Sequence, residues 1–318
     1  MTDFTVYRAE DVNALLDYEG CIAALRRAMA ALSRDSREQP LRTIIPVHEG
    51  RLFGWMPGMS TGQPGFGAKL ISVFRDPTQG GRSTHKGLVV LFEEEMGSVV
   101  CIADAHEITR IRTACASAVA TDALARADAS TLAIFGCGTQ AEAHIQAIPL
   151  VRPISQIRVW GRDEDIAEAF ARRMTDVAGI DVTAMRDPCK AAGEADIICT
   201  VTASAEPILL RDWIAPGTHV NAVGSSHAGP VEIEPELVAA SAYFVEYRRS
   251  ALAAAAEFLR ARELGLIDDS HIRAEIGEVL NGTAPGRTGP AEITLYKSLG
   301  HVVQDLAATQ YVHDRARP

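Results

Sequence analysis

Hydrophobic residues fall on two different periods along this chain. Near the start, Val12, Leu15 and Leu16, then Ile22, Leu25, Met29 and Leu32, recur every three or four residues. That spacing predicts amphipathic helix over residues 9–34. Between residues 42 and 103 the period shortens. The runs TIIPV, RLFGWMP, GAKLISVF, HKGLVVLF and GSVVCIA are rich in β-branched and aromatic residues and are separated by Gly, Pro and Asp. They predict an antiparallel or mixed sheet. The stretch AHEITRIRTACASAVATDALARADA (105–129) then reads as a long helix of small residues linking two lobes.

After residue 129 the rhythm becomes strand, turn, helix, repeated. STLAIF, QIRVW, DVTAM, ADIICT, GTHVNAV and SAYFVEY are short apolar strands, and helical patterns alternate with the first of them. Such alternation predicts a parallel sheet covered on both faces, and six strands fit a doubly wound sheet. The tail, AEITLYKSLGHVVQDLAATQYVHDRA (291–316), reads as helical and is expected to pack on the first lobe. GTAPGRTGP (282–290) is the most loop-like stretch.

Length and charge narrow the picture. The chain has 318 residues, room for about two domains. It carries 31 basic and 41 acidic residues, a formal charge of −10, which argues against nucleic acid as a partner. Apolar residues are 47% and charged residues 23%, so a globular core needs no disulfides. The six cysteines form no C-x-x-C pair and most sit in apolar or small-residue runs, as buried small hydrophobes do. No basic-then-apolar leader and no spanning apolar run stand out, so the expectation is a cytoplasmic protein with no membrane contact. No histidine or cysteine pair has a metal-ligand spacing, so no metal is expected.

The sharpest motif is Gly136-Cys137-Gly138-Thr139-Gln140-Ala141, a G-x-G-x-x-A turn between the strand TLAIF and the helix AEAHIQAI. The first glycine permits the tight turn. The second lets the backbone approach a pyrophosphate, and the alanine permits close helix–strand packing. Uncapped N–H groups at the helix start then face the phosphates. At the end of the next strand, where an acid would bind a ribose 2′-hydroxyl, the chain reads Trp160-Gly161-Arg162-Asp163. Arg162 could pair with a 2′-phosphate, stack on adenine or point into solvent. The choice between NADH and NADPH stays open, with a lean toward the phosphorylated form.

FGAKLISVF (66–74), THKGLVVLF (84–92), EITRIRTACASAVAT (107–121), AIFGCGTQAEAHIQA (133–147), CTVTAS (199–204), NAVGSS (221–226) and EITLYKSLGHVVQDLA (292–307) together carry a resemblance. In this order they are similar to the ornithine cyclodeaminase/mu-crystallin family. The resemblance implies an α/β fold in which a Rossmann doubly wound domain (121–301) follows an α+β dimerisation and substrate domain. That domain would comprise residues 1–120 and be completed by the C-terminal helix, 302–318. It also implies a homodimer, one nicotinamide cofactor, and hydride transfer at the α-carbon of an amino or imino acid.

Carried onto this chain, the resemblance assigns Arg42, Lys69 and Arg112 as substrate and cofactor cations. A guanidinium at Arg112 can clamp a carboxylate, and Lys69 among apolar neighbours needs an anion to justify its charge. The plainer readings are a structural ion pair for Arg112, a snorkelling Lys69 and a surface Arg42. Thr84, Thr139, Gln140, Thr202 and Ser298 match cofactor-touching positions of the family. Val223, Gly224 and Ser225 end the fifth strand, where open α/β sheets place ligands. Ser226 stands where cyclodeaminases carry an aspartate, and a lone hydroxyl is a poor proton shuttle near neutral pH. His227 beside it and His85 beside Thr84 are candidate proton donors or anion ligands. These residues favour reduction of an α-imino acid, cyclic or open-chain such as iminosuccinate, to an L-amino acid, reversible as a dehydrogenase. Ornithine cyclodeamination and non-enzymatic ligand binding are the alternatives.

Overall fold

The computed structural model describes residues 4–48, 51–76 and 82–317, except for the side chains of residues 75–76 and 82–85. The chain divides into two compact units, residues 1–112 with 301–318, and residues 113–300.

In the first unit, β1 (Thr5–Tyr7) leads into α1 (Ala9–Leu15) and α2 (Tyr18–Leu32). The sequence period runs unbroken through both helices, yet the helix stops at Leu16. Asp17 restarts it by accepting the Gly20 N–H at 2.7 Å, an N-cap bond that a mid-helix aspartate could not make. A meander follows: β2 (Thr43–His48), β3 (Arg51–Met59), β4 (Phe66–Asp76), β5 (Arg82–Phe92) and β6 (Val99–Asp104). The sheet order is β1-β6-β5-β4-β3-β2, antiparallel except for the β1–β6 pair, so the expected mixed sheet is present. The pattern did not reveal β1, three residues long and paired only along β6.

The last helix, α11 (Val302–Ala316), packs on α2 and on β3, β4 and β5. Its approach needs glycine. A Cβ on Gly58 would strike Val302, and one on Gly67 would strike Leu306 and the Val90 carbonyl. Leu25, Met29, Val89, Leu91, Leu306 and Val312 are buried in this unit.

The second unit holds eight parallel strands in the order β13-β12-β14-β11-β10-β7-β8-β9. The first six in sequence are those the pattern predicts: β7 (Thr131–Phe135), β8 (Gln156–Trp160), β9 (Val182–Met185), β10 (Ile197–Thr200), β11 (His219–Ala222) and β12 (Ala242–Val245). Two more correct the count of six. β13 (Ile272–Glu275) is an edge strand, and β14 (Thr294–Lys297) inserts between β11 and β12. The tail is therefore not one helix. Its TLYK segment is fully buried strand, Gly300 turns with φ +80°, and helix begins only at Val302. Burial on both faces of the sheet decided this, because four residues give too short a run for their own period to show.

The α3 helix (Ala105–Leu124) belongs partly to each unit. The division between the units falls at 112/113, inside this continuous helix, while the resemblance implies a boundary at 120/121 in the same helix. The chain steps from β7 through α4 (Thr139–Ala147) to β8 and β9, then returns to β10 on the other side of β7. That reversal is the switch point at which open α/β sheets bind nucleotides. Residues 282–290 form turns with no regular element. All six cysteines are free, four of them buried. No described helix is long and apolar enough to cross a membrane.

Candidate functional site

In the first unit, three charged side chains from three elements meet. Lys69 lies mid-strand on β4, opposite Met56 and Val89. Arg112 comes from α3 and Asp305 from the first turn of α11. Lys69 Nζ donates to Asp305 Oδ1 at 2.9 Å, and Arg112 Nε donates to the same oxygen at 2.8 Å. Arg112 Nη1 also donates to Gln304 Oε1 at 2.9 Å, and Thr109 Oγ1 lies 3.4 Å from Lys69 Nζ. Lys69 and Arg112 are 2% and 4% exposed and Asp305 is fully buried. Lys69 does not snorkel, and Arg112 is in an ion pair; the plainer reading is thus right in part for Arg112.

Two cations on one carboxylate leave a positive charge unmatched. Burial pushes the Lys69 pKa down to about 8, with Arg112 and Arg42 adding to the effect and Asp305 opposing it. For Asp305, burial would raise the pKa, but Arg112 and Lys69 outweigh it and hold it below the ordinary value. Arg42 is half-buried, and its charge acts on both Lys69 and His301. His301 is driven down to about 4, mainly by burial, and is neutral at physiological pH. Thr84 and His85 lie on β5 opposite Phe74 and Val73, but their side chains are outside the described residues.

In the second unit, Gly136 has φ +130°, and a Cβ there would meet the Val201 carbonyl. Gly138 is the N-cap of α4, is exposed, has no side-chain cap, and has open space where a Cβ would sit. Thr139 is exposed and Gln140 half-buried in the first turn. The first N–H groups of a helix have no partner inside it, so this turn is an uncovered set of donors. It fits a pyrophosphate. Behind it, His144 is fully buried and pushed down to about 4 by burial. Its Nδ1 lies 2.7 Å from the Gln140 carbonyl and its Nε2 2.9 Å from Ser117 Oγ. A carbonyl only accepts, so Nδ1 carries the proton and Nε2 accepts from the serine. The neutral ring thereby braces the first turn of α4. At the tip of β8, Asp163 is spent capping α5 (Glu164–Ala178), accepting the Ile166 N–H at 3.0 Å, while Arg162 is exposed.

The carboxyl ends of β10, β11, β12 and β14 hold the remaining predicted residues. Thr202 donates to Glu232 Oε1 through its N–H at 2.6 Å and its hydroxyl at 2.7 Å, and the Gly224 N–H donates to Glu232 Oε2 at 2.7 Å. The Ser225 hydroxyl is fully buried. It donates to Glu257 and accepts from Lys297 Nζ at 2.6 Å, while Lys297 pairs with Glu257 at 2.8 Å. Ser298 donates to Glu246 Oε1 at 3.1 Å, and Glu246 also accepts the N–H groups of Leu299 and Gly300. The hydroxyls of Thr202, Ser225 and Ser298 each make hydrogen bonds within the protein. Val223 is buried, Ser226 half-buried and His227 exposed. Among the described residues, no three His, Cys, Asp or Glu side chains could hold a metal ion.

The sequence reading missed Asp305, Glu232, Glu246, Glu257, Lys297 and His144. Asp305 had a weak signal, an acid inside a helical run whose neighbours are apolar. Its partners stand 236 and 193 residues away, beyond any local pattern.

Residues 3–318 match the ornithine cyclodeaminase/mu-crystallin family, and the chain belongs to it. It is 35% identical to the ketimine reductase mu-crystallin of Mus musculus over 277 residues, 87% of this chain and 84% of that protein. A solved Delta(1)-pyrroline-2-carboxylate reductase from Thermococcus litoralis, in complex with NADH and L-proline, superposes with a TM-score of 0.94. It shares 29% identity and covers 98% of this chain and 97% of its own. An archaeal alanine dehydrogenase dimer with bound NAD superposes with a TM-score of 0.91 and 26% identity, covering 98% of this chain and 96% of its own.

The shared carboxylate yields a stability prediction. Asp305 is held below its ordinary pKa, so its contribution is complete above about pH 4 and is lost as pH falls through the depressed value. Asp305→Asn leaves two buried cations facing an amide and should cost roughly 3–5 kcal/mol near neutral pH. Urea unfolding at pH 7 and pH 3 should show the gap between wild type and variant shrinking in acid. A gap that is absent at pH 7, or that grows in acid, contradicts the assignment.

Proposed function

We propose that this member of the ornithine cyclodeaminase/mu-crystallin family is an NAD(P)H-dependent reductase of an α-imino acid, yielding an L-amino acid and reversible as an amino acid dehydrogenase. The observation that carries the reading is the meeting of Lys69 and Arg112 on one oxygen of Asp305, which leaves a buried positive charge. A substrate carboxylate supplies the missing counter-charge. Arg112 offers a planar fork to it and Lys69 a point charge, so the anion is oriented as well as attracted. Arg42 adds to the same field.

Gly136, Gly138, Thr139 and Gln140 would hold the pyrophosphate at the uncovered turn, with Thr202, Val223, Gly224 and Ser298 lining the other half of the dinucleotide. The bound nicotinamide supplies hydride chemistry. The protein binds and orients the imino acid and delivers a proton to its nitrogen. His85 and His227 are the candidates for that proton, and His227 is exposed at the loop after β11.

Reduction is favoured over cyclodeamination by Ser226. The buried carboxylates at these strand ends do not replace the absent aspartate, because Glu232, Glu246 and Glu257 are each bonded to backbone, hydroxyl or Lys297 groups. A homodimer is supported by the exposed apolar side chains of Ile44, Ile45, Val47 and Trp55 on β2 and β3.

Four measurements test this reading. Cofactor oxidation at 340 nm should be seen with one of a panel: pyruvate, glyoxylate or oxaloacetate with ammonia, or the five- and six-membered cyclic imino acids. Lys69→Ala should lose more than tenfold in kcat/KM on that substrate with dinucleotide affinity nearly intact; unchanged kcat/KM would falsify the carboxylate assignment. Arg162→Ala should weaken NADPH more than NADH, and an unchanged ratio removes the lean toward the 2′-phosphate. Sedimentation equilibrium should give twice the 34.1 kDa chain mass, and a monomer at micromolar concentration rejects the dimer.

A further inference from the structure

We propose that Glu232 is a positioning residue for the nicotinamide half of the cofactor, acting through the two turns that its carboxylate joins. The inference rests on the function proposed above and concerns a residue to which that reading gives no role.

The strand order fixes which half of a dinucleotide lies where. The pyrophosphate turn follows β7, at the centre of the reversal. The tip of β8, with Arg162, faces the ribose end next to adenine. The other half therefore extends over the carboxyl ends of β10 and β11, on the opposite side of β7. Those ends are the turns at Thr202 and Gly224.

Glu232 clamps both turns. One oxygen accepts two bonds from Thr202, and the other accepts the Gly224 N–H. The side chain is fully buried. Its backbone is pinned by the Ile208 N–H, which donates to its carbonyl at 2.8 Å, and by the bridge between Leu209 and Ile233. The contact is tight enough that a Cβ on Gly224 would strike the Thr202 carbonyl and the Glu232 carboxylate. Three part-buried donors converge on this one side chain, two on one oxygen and one on the other, which is the pattern a carboxylate with two accepting oxygens satisfies. Neither an apolar side chain nor an amide supplies that, since the amide nitrogen would face a donor. Burial raises the Glu232 pKa above its ordinary value, and the Thr202 bonds and the charge of Lys297, itself paired with Glu257, work against that rise. The brace fixes the spacing of two turns without touching the ligand.

The test is equilibrium binding, with no substrate present. Calorimetric titration of the full-length chain would use NADH beside ADP-ribose, which lacks the nicotinamide. NADPH and 2′-phospho-ADP-ribose would be run in parallel. Glu232→Gln should weaken the reduced dinucleotide roughly tenfold and leave the nicotinamide-free fragment within twofold. Equal weakening of both, or of neither, overturns the proposal, because a general structural role moves both together. Thermal melting of the apo variant reports folding. If Glu232→Gln does not fold, Glu232→Asp decides on the same criteria, since it keeps the charge and shortens the reach. Wild type that binds no dinucleotide would sink the functional reading itself, whereas normal binding by both wild type and variants sinks only this inference.

Discussion

A single carboxylate oxygen, Asp305 Oδ1, organises the first unit by holding two buried cations. At an effective dielectric near 20, each contact at this range is worth roughly 6 kcal/mol. Withdrawing each ion from water costs several kcal/mol. Three desolvated ions and the repulsion between the cations offset two attractions, so the cluster adds little net stability. Its consequence is a fixed positive field at Lys69 and Arg112. Three elements set that placement: β4 carries Lys69, α3 carries Arg112, and α11 returns Asp305 to the sheet face only because Gly58 and Gly67 let it approach.

The second unit uses the same device in another form. Its strands are buried on both faces, so the polar chemistry concentrates where they end. Glu232, Glu246 and Glu257 are buried there, and each satisfies several donors from turns that would otherwise lose their contacts with water. The hydroxyls of Thr202, Ser225 and Ser298 belong to this internal layer. A ligand over these strand ends would therefore meet backbone and turn shape more than free side-chain hydroxyls. His144 does the same for α4, locking its first turn from behind while the phosphate-facing side stays open.

Much of the architecture was legible before any coordinates. The G-x-G-x-x-A turn between β7 and α4, the six alternating strands and the helical packing of the tail follow from local period and turn chemistry. Lys69 stood out because a charge among apolar neighbours demands a partner. The failures share a cause. β1, β13 and β14 are three or four residues long, too short to show a period, and they are strands because neighbouring strands offer them hydrogen bonds. The break after Leu16 depends on one cap bond.

The sequence by itself determined the family, the two kinds of sheet and the nucleotide turn, because backbone preferences and hydrophobic spacing act over a few residues. Only the tertiary structure decided who partners whom. The anions that hold Lys69, Arg112, Thr202 and Gly224 come from 8 to 236 residues away. Coulomb and hydrogen-bond forces depend on distance in space, and the fold, rather than the order of residues, sets that distance.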